Sequence, residues 1–225
     1  MGVSSNLMVI KEKVKKSCEK VNRDPEEITI IAVTKYSTVE RAKEVIDAGI
    51  RDLGENRDQE FINKYNALGS KPIWHFIGTL QTRKVKNIID KVDYIHSLDR
   101  IALAQEIDKR ATRQIPCFVQ VNVSNEDSKH GLAVDEVIPF IEQLKEYSNI
   151  QIIGLMTMAP NTEDKQLIRN CFRGLKQLQQ QIQKKKWQHA TCTELSMGMS
   201  NDYDIAIEEG ATIIRIGTAL VGRNE

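Results

Sequence analysis

Apolar positions recur along this chain with two different periods. Val3, Leu7, Ile10, Val14, Cys18 and Val21 are three or four residues apart, which marks an amphipathic helix ended by the Asn22-Arg23-Asp24-Pro25 turn. From residue 28 the pattern changes to short apolar runs at 28–33 (ITIIAV), 50–53 (IRDL), 73–77 (IWHFI), 92–97 (VDYIHS), 117–123 (CFVQVNV), 151–156 (QIIGLM), 193–197 (TELSM) and 212–216 (TIIRI), each predicted to be a strand. Helical stripes lie between them. Leu167, Cys171, Leu175, Leu178 and Ile182 form one, and Val85, Ile88 and Ile89 another. Strands alternating with helices predict a parallel sheet, and strands apolar on both faces fit a sheet covered outside and packed inside. In 225 residues this favours a single (β/α)8 barrel of the TIM type, with an extra N-terminal helix, over an open doubly wound sheet. No repeat or Gly/Ser-rich linker divides the chain, so residues 1–225 read as one domain.

Composition narrows the partners. Thirty-two basic and thirty-one acidic residues leave a net charge of +1, so no strong field selects nucleic acid or an acidic membrane. The run Lys184-Lys185-Lys186 ends the long helix expected from about 163, where cations complement the helix dipole. Cys18, Cys117, Cys171 and Cys192 form no CxxC pair and read as reduced core residues. The N-terminus lacks the apolar segment of a secretory signal, no stretch has the length of a membrane span, and Asn6 breaks the myristoylation pattern that MGVSSN approaches. A cytoplasmic protein is expected.

The first strand is followed by a lysine. In a barrel Lys35 lies at the carboxyl edge of strand one, where barrel active sites are built, and it shares strand parity with Thr29, Ile31 and Val33. A lysine ringed by apolar strand residues loses hydration and offers a neutral amine for a Schiff base. The plainer reading makes it the first exposed residue of a loop. Near the other end, LSMGMSNDYDIAIEEG enters a helix through Gly198, with Ser200, Asn201 and Asp204 signalling its start, and the last strand ends in Gly217-Thr218. Such turns present free backbone N–H groups to a phosphate, and barrels often hold phosphate after strands seven and eight. Strand eight closes against strand one, so lysine and phosphate site are neighbours. An aldehyde bearing a phosphate satisfies both, pyridoxal phosphate fits, and Arg215 is then placed to hydrogen-bond the pyridine nitrogen. An ion pair with an acid such as Glu194 is the alternative for Arg215.

The segments AVTKYS, LGENR, WHFIGTLQTRK, NVSNEDSKHGL, GLMTMAP and LSMGMSNDYDIAIEEGATIIRIGTALVG, in this order, resemble the pyridoxal phosphate homeostasis proteins, single-domain relatives of the alanine racemase barrel. The resemblance runs from about residue 6 to residue 223. It implies that Lys35 carries pyridoxal 5'-phosphate as a Schiff base, that Ser200, Gly217 and Thr218 hold its phosphate, and that Arg215 faces the ring nitrogen. Asn56 and His75 match motif positions and are implied to line the pocket, although a strand histidine is more often a core residue. Two positions depart from the family pattern: Arg83, where asparagine is common, and Val221, where phenylalanine is usual. The first affects charge at the pocket mouth, and the second reads as a packing change away from the lysine and the phosphate. Met156, Met158, Met197 and Met199 read as core filling. His96, His130 and His189 have no metal-triad spacing, so no metal is expected.

Two functional classes follow. One is a carrier that stores or delivers pyridoxal phosphate within the cell, to pyridoxal-phosphate-dependent apo-enzymes, without catalysis. The other is an amino-acid racemase on the same cofactor. Racemisation needs acid/base groups on both faces of the substrate carbon, and in the resembled racemases one is a tyrosine from an additional domain. Here the sequence given ends at Glu225, just after the last strand, and neither Tyr36 nor Tyr203 is placed over the cofactor by the sequence. The carrier is favoured, with a Schiff-base aldolase as a weaker third reading. A monomer is expected, since nothing signals an obligate interface.

Overall fold

A computed structural model describes residues 2–124, 126 and 130–222. Residues 125 and 127–129 of the NVSNEDSKHGL segment, and residues 223–225, lie outside the described residues. The strands are β1 (Thr29–Val33), β2 (Asp52–Glu55), β3 (Ile73–Phe76), β4 (Tyr94–Leu98), β5 (Ile115–Gln120), β6 (Ile150–Met156), β7 (Ala190–Ser196) and β8 (Ile213–Ile216). They form a closed parallel barrel in chain order, and β8 pairs with β1 in the register Thr29 with Ile213 and Ile31 with Arg215. The (β/α)8 barrel expected from the alternation is therefore the fold. The strand opposite the second apolar run is displaced: β2 begins at Asp52, because Ile50 is buried in the connection before it while Gly54 and Glu55 complete the ladder with β3.

The helices are α1 (Val3–Glu19), α2 (Val39–Asp47), α3 (Asp58–Leu68), α4 (Val85–Ile88), α5 (Ile101–Arg110), α6 (Val134–Gln143), α7 (Lys165–Gln183), α8 (Tyr203–Glu208) and α9 (Thr218–Val221). The extra N-terminal helix α1 buries Val3, Leu7, Ile10, Val14 and Cys18, and its apolar face meets α8 and α9. In α7 the expected stripe holds at Cys171, Leu175, Leu178 and Ile182 and fails at Leu167. Ile168, Cys171, Phe172, Leu175, Leu178 and Ile182 are buried, whereas Leu167, in the first turn next to the Asp164 cap, is exposed. Lys184 caps the end of α7, where the basic run was placed.

Two apolar regions result. The larger fills the layer between sheet and helices, around Trp74, Phe61, Phe76 and Phe172. Phe61 packs edge-on against Trp74 at a centroid distance of 5.2 Å. The smaller, Ile31, Phe118, Met156 and Ile213 with Tyr94, Ile153 and Met158, fills the barrel. Met197 is buried in the outer layer, but Met199 is exposed, so not all four methionines are core filling. All four cysteines are buried, and none forms a disulfide among the described residues. Burial pushes the Cys192 thiol up to about 12 and that of Cys117 higher still, which leaves both inert as nucleophiles near neutral pH. Among the described residues, no helix is long and apolar enough to cross a membrane, and no His, Cys, Asp and Glu group is arranged to hold a metal ion.

Candidate functional site

The carboxyl ends of β1 and β8 meet at a cavity of about 380 Å³ lined by Val33, Lys35, Tyr36, Ser37, Gly217, Thr218, Val221 and Gly222. This size lies within the range of small-molecule sites. Lys35 and the Gly217–Thr218 turn, from opposite ends of the chain, are thus brought together because the last strand closes on the first. Lys35 does not sit among the apolar residues of its strand parity. It occupies the turn after β1 and is exposed, because Thr34 ends the ladder and is buried in its place.

That turn is held from behind. The Thr34 carbonyl accepts a hydrogen bond from Lys64 Nζ at 2.9 Å, and the same ammonium lies 2.8 Å from Glu55 Oε1, which also accepts from Thr34 Oγ1 at 2.5 Å. Lys64 and Glu55 are almost wholly buried between β2 and α3. Burial raises the Glu55 carboxyl above its ordinary value, against the lowering effect of Lys64, and its second oxygen has no partner among the described residues. Tyr36 adopts φ of +63°, rare for an aromatic residue, and its N–H donates to Glu60 at 3.0 Å. Its exposed ring lies 5.9 Å from Lys35 Nζ and 5.2 Å from the Arg57 guanidinium. Tyr36 lines the cavity, yet nothing in an apolar-run pattern marks a left-handed tyrosine.

On the β8 side, Gly217 leads into the first turn of α9, and among the described residues the N–H groups of Gly217 and Thr218 have no acceptor in the chain. Ser200 Oγ accepts from Ala219 N–H at 3.4 Å, which ties the loop after β7 to this turn. Of the expected helix-start signals, Asp204 lies in the first turn of α8, but Asp202 rather than Ser200 or Asn201 holds the N-cap position, and its carboxylate accepts from Met199 N–H at 2.6 Å instead of from the helix. Gly198 has φ of +92°, and a Cβ there would lie 2.6 Å from Ala206 Cβ, so glycine is needed for the chain to turn this close to α8. Val221 is both buried and part of the cavity wall, so this departure from the family pattern is more than distant packing. Arg83 Nε donates to Gln81 at 3.1 Å.

The other expected residues lie deeper or to the side. Asn56 follows β2, and its buried Oδ1 has no partner among the described residues. Its backbone is so close to Gly78 that a Cβ at residue 78 would come within 2.3 Å of the Asn56 carbonyl oxygen. Arg215 is buried in the barrel, donating to Ser196 Oγ at 2.6 Å and to the Thr157 carbonyl at 2.9 Å rather than pairing with Glu194. Burial lowers its pKa to about 10, with Asp202 opposing the shift, so the guanidinium is still charged at neutral pH. His75 is buried as well, outside the cavity wall, with both ring nitrogens engaged by protein: Nε2 with Asp52 at 2.9 Å and Nδ1 with His96 at 3.0 Å.

Comparison with known proteins places this geometry in a lineage. The model of the alanine racemase N-terminal domain matches residues 6–225. A pyridoxal phosphate homeostasis protein of Aquifex aeolicus is 39% identical, with all of both chains covered. One of Escherichia coli K12 is 32% identical, covering 99% of this chain and 97% of its own. Among solved structures, PipY of Synechococcus elongatus with PLP bound superposes with a TM-score of 0.85 at 31% identity, covering 98% of this chain and all of PipY. An alanine racemase of Clostridium difficile shares the fold, with a TM-score of 0.77 at 17% identity, and 57% of its length is covered. The chain belongs to the alanine racemase N-terminal domain family, within the group of pyridoxal phosphate homeostasis proteins.

Proposed function

We propose that the cavity where β1 meets β8 binds pyridoxal 5'-phosphate, and that the protein, a single barrel domain over residues 1–225, keeps this cofactor in store in the cytoplasm and catalyses no reaction of its own. The observation that carries the reading is the Lys35 amine and the Gly217–Thr218 turn on one cavity wall. When bound, pyridoxal phosphate supplies an aldehyde reactive toward primary amines, an electron-withdrawing ring and a dianionic tail. The residues fit such a group. Lys35 is the amine that anchors the aldehyde. The free N–H groups of Gly217 and Thr218, with the hydroxyls of Thr218 and Ser200, form a donor set suited to phosphate oxygens. Asn56 Oδ1, buried and without a partner among the described residues, would accept from the ring hydroxyl of such a group. Arg215, buried behind the cavity and able only to donate, would leave the ring nitrogen of such a group unprotonated. His75 acts behind this layer, since both its nitrogens are taken.

PipY, solved with PLP bound, supports the cofactor, and the full-length relatives named as homeostasis proteins support the cellular role. The racemase reading finds less support. Tyr36 and Lys35 both reach the cavity, but both are exposed to water, and two-sided proton transfer calls for a desolvated site. Recipients are pyridoxal-phosphate-dependent apo-enzymes, served by a monomer. The test is to incubate cofactor-loaded protein with single amino acids and follow chirality and keto-acid release. No turnover above free pyridoxal phosphate is expected; enzyme-like rates would overturn the carrier reading.

A further inference from the structure

Inside the barrel a run of hydrogen bonds leads from Arg215 toward the amino-terminal face. Arg215 Nη1 lies 2.6 Å from Ser196 Oγ, Ser196 Oγ is 2.9 Å from His96 Nδ1, His96 Nε2 is 3.0 Å from His75 Nδ1, and His75 Nε2 is 2.9 Å from Asp52 Oδ1. Ser196, His96 and His75 are buried, and only the Asp52 end is partly open, its side chain 21% exposed. Asp52 starts β2, so it lies at the amino-terminal edge of the parallel strands, across the barrel from the cavity. Each imidazole is clamped against an aromatic face: His75 stacks on Tyr94 at 4.7 Å, and His96 on Phe118 at 4.1 Å. Neither ring is free to swing to another partner.

The hydrogens in this run can be counted. A guanidinium has no acceptor, and an ionised carboxylate has no donor, so the ends fix the direction. Arg215 donates to Ser196. The Ser196 hydroxyl then donates to His96 Nδ1, His96 Nε2–H to His75 Nδ1, and His75 Nε2–H to Asp52. Every bond receives one hydrogen and none is left over. The reverse arrangement makes Ser196 accept from Arg215 and His96 together, and leaves its own buried O–H with no further acceptor among the described residues. Burial also pushes the His96 pKa well below its ordinary value, with the neighbouring His75 and Arg215 acting the same way, so a second proton is not accommodated there.

We propose that Asp52, His75, His96 and Ser196 are positioning residues which, through this one-directional chain with both imidazoles protonated on Nε2, hold the Arg215 guanidinium in place as a fixed donor toward the ring of the bound ligand. The ligand half of this statement rests on the pyridoxal phosphate reading above; the chain itself does not. His75 thereby influences the site from a distance. A change at Asp52, on the far face, is felt at Arg215 without contact.

The test has a ligand-free arm and a loaded arm. In ¹⁵N-labelled protein without ligand, side-chain nitrogen shifts of His75 and His96 are expected to show Nε2–H and an unprotonated Nδ1 in both rings. Asp52→Asn, which offers either a donor or an acceptor to His75, is expected to mix the tautomers of His96 as well as of His75. A His96 protonated on Nδ1 in the unaltered protein overturns the chain whether or not any variant folds, and so does a His96 signal untouched by Asp52→Asn. In the loaded arm, Ser196→Ala is expected to move the absorption maximum of bound pyridoxal phosphate, with Ser196→Thr restoring it. An unmoved maximum overturns the link to the ring. Failure of the unaltered protein to bind pyridoxal phosphate overturns the functional reading, and the tautomer result then stands by itself.

Discussion

Lys64 provides the sharpest energetic test of how the Lys35 turn is held. Lys64→Met keeps the length and most of the volume of the side chain but removes the ammonium that lies 2.8 Å from Glu55 and 2.9 Å from the Thr34 carbonyl. Glu55 is fully buried and Lys64 nearly so, so the variant leaves a carboxylate with no counter-charge, at a cost of about 3–5 kcal/mol at pH 8. The pH dependence has a definite sign. Burial already raises the Glu55 carboxyl above its unfolded value, so the folded state binds the proton more tightly than the unfolded state, and ionisation on raising the pH costs stability. Without Lys64 that carboxyl rises further. Each pH unit over which the variant's folded state holds one proton more than the unaltered protein's contributes about 1.4 kcal/mol, so the loss is smaller at pH 5 than at pH 8. Urea unfolding followed by the fluorescence of Trp74 and Trp187 measures both. Glu55→Gln combined with Lys64→Met is expected to recover most of the loss. A loss below about 1 kcal/mol at pH 8, or the same loss at both pH values, would refute the reasoning.

Other substitutions test the site and the layer that supports it. Thr218→Ala and Ser200→Ala are each expected to weaken retention of pyridoxal phosphate by about 1–2 kcal/mol, read by equilibrium dialysis; unaltered affinity in both would move the phosphate elsewhere. Gly78→Ala places a methyl group 2.3 Å from the Asn56 carbonyl oxygen and is expected to cost about 1–3 kcal/mol in thermal unfolding, together with a loss of ligand affinity as Asn56 shifts. Phe61→Ala, at the centre of the outer layer, is expected to cost about 3–5 kcal/mol in urea unfolding; a loss below about 1 kcal/mol would contradict its packing between Trp74 and Phe76.

The barrel was legible because each of its elements carries a local period, and the closing contact between β8 and β1 followed from counting strands. Boundaries were less so. β2 ends in Gly54 and Glu55, which look unlike a strand until Lys64, on the next helix, neutralises the carboxylate. Leu167 belonged to a plausible stripe, but Ile168, three residues before Cys171, takes the buried position at its start. Lys35 and Gly217–Thr218 were found from strand order, whereas the exposure of Lys35 depends on where the ladder of β1 stops. The chain through His75 and His96 was invisible because its members are 19 to 100 residues apart and meet only inside a closed barrel. A strand histidine read alone looks like a core residue or a ligand contact; here its two partners define it.

The central claim is a covalent anchor at residue 35 beside a phosphate-binding turn. Borohydride treatment of the cofactor-loaded protein, followed by peptide mass mapping, tests it directly. The account predicts a reduced pyridoxyl group on Lys35, absent in Lys35→Ala together with the yellow absorbance. A label on a different lysine, or a spectrum indifferent to that substitution, would contradict it.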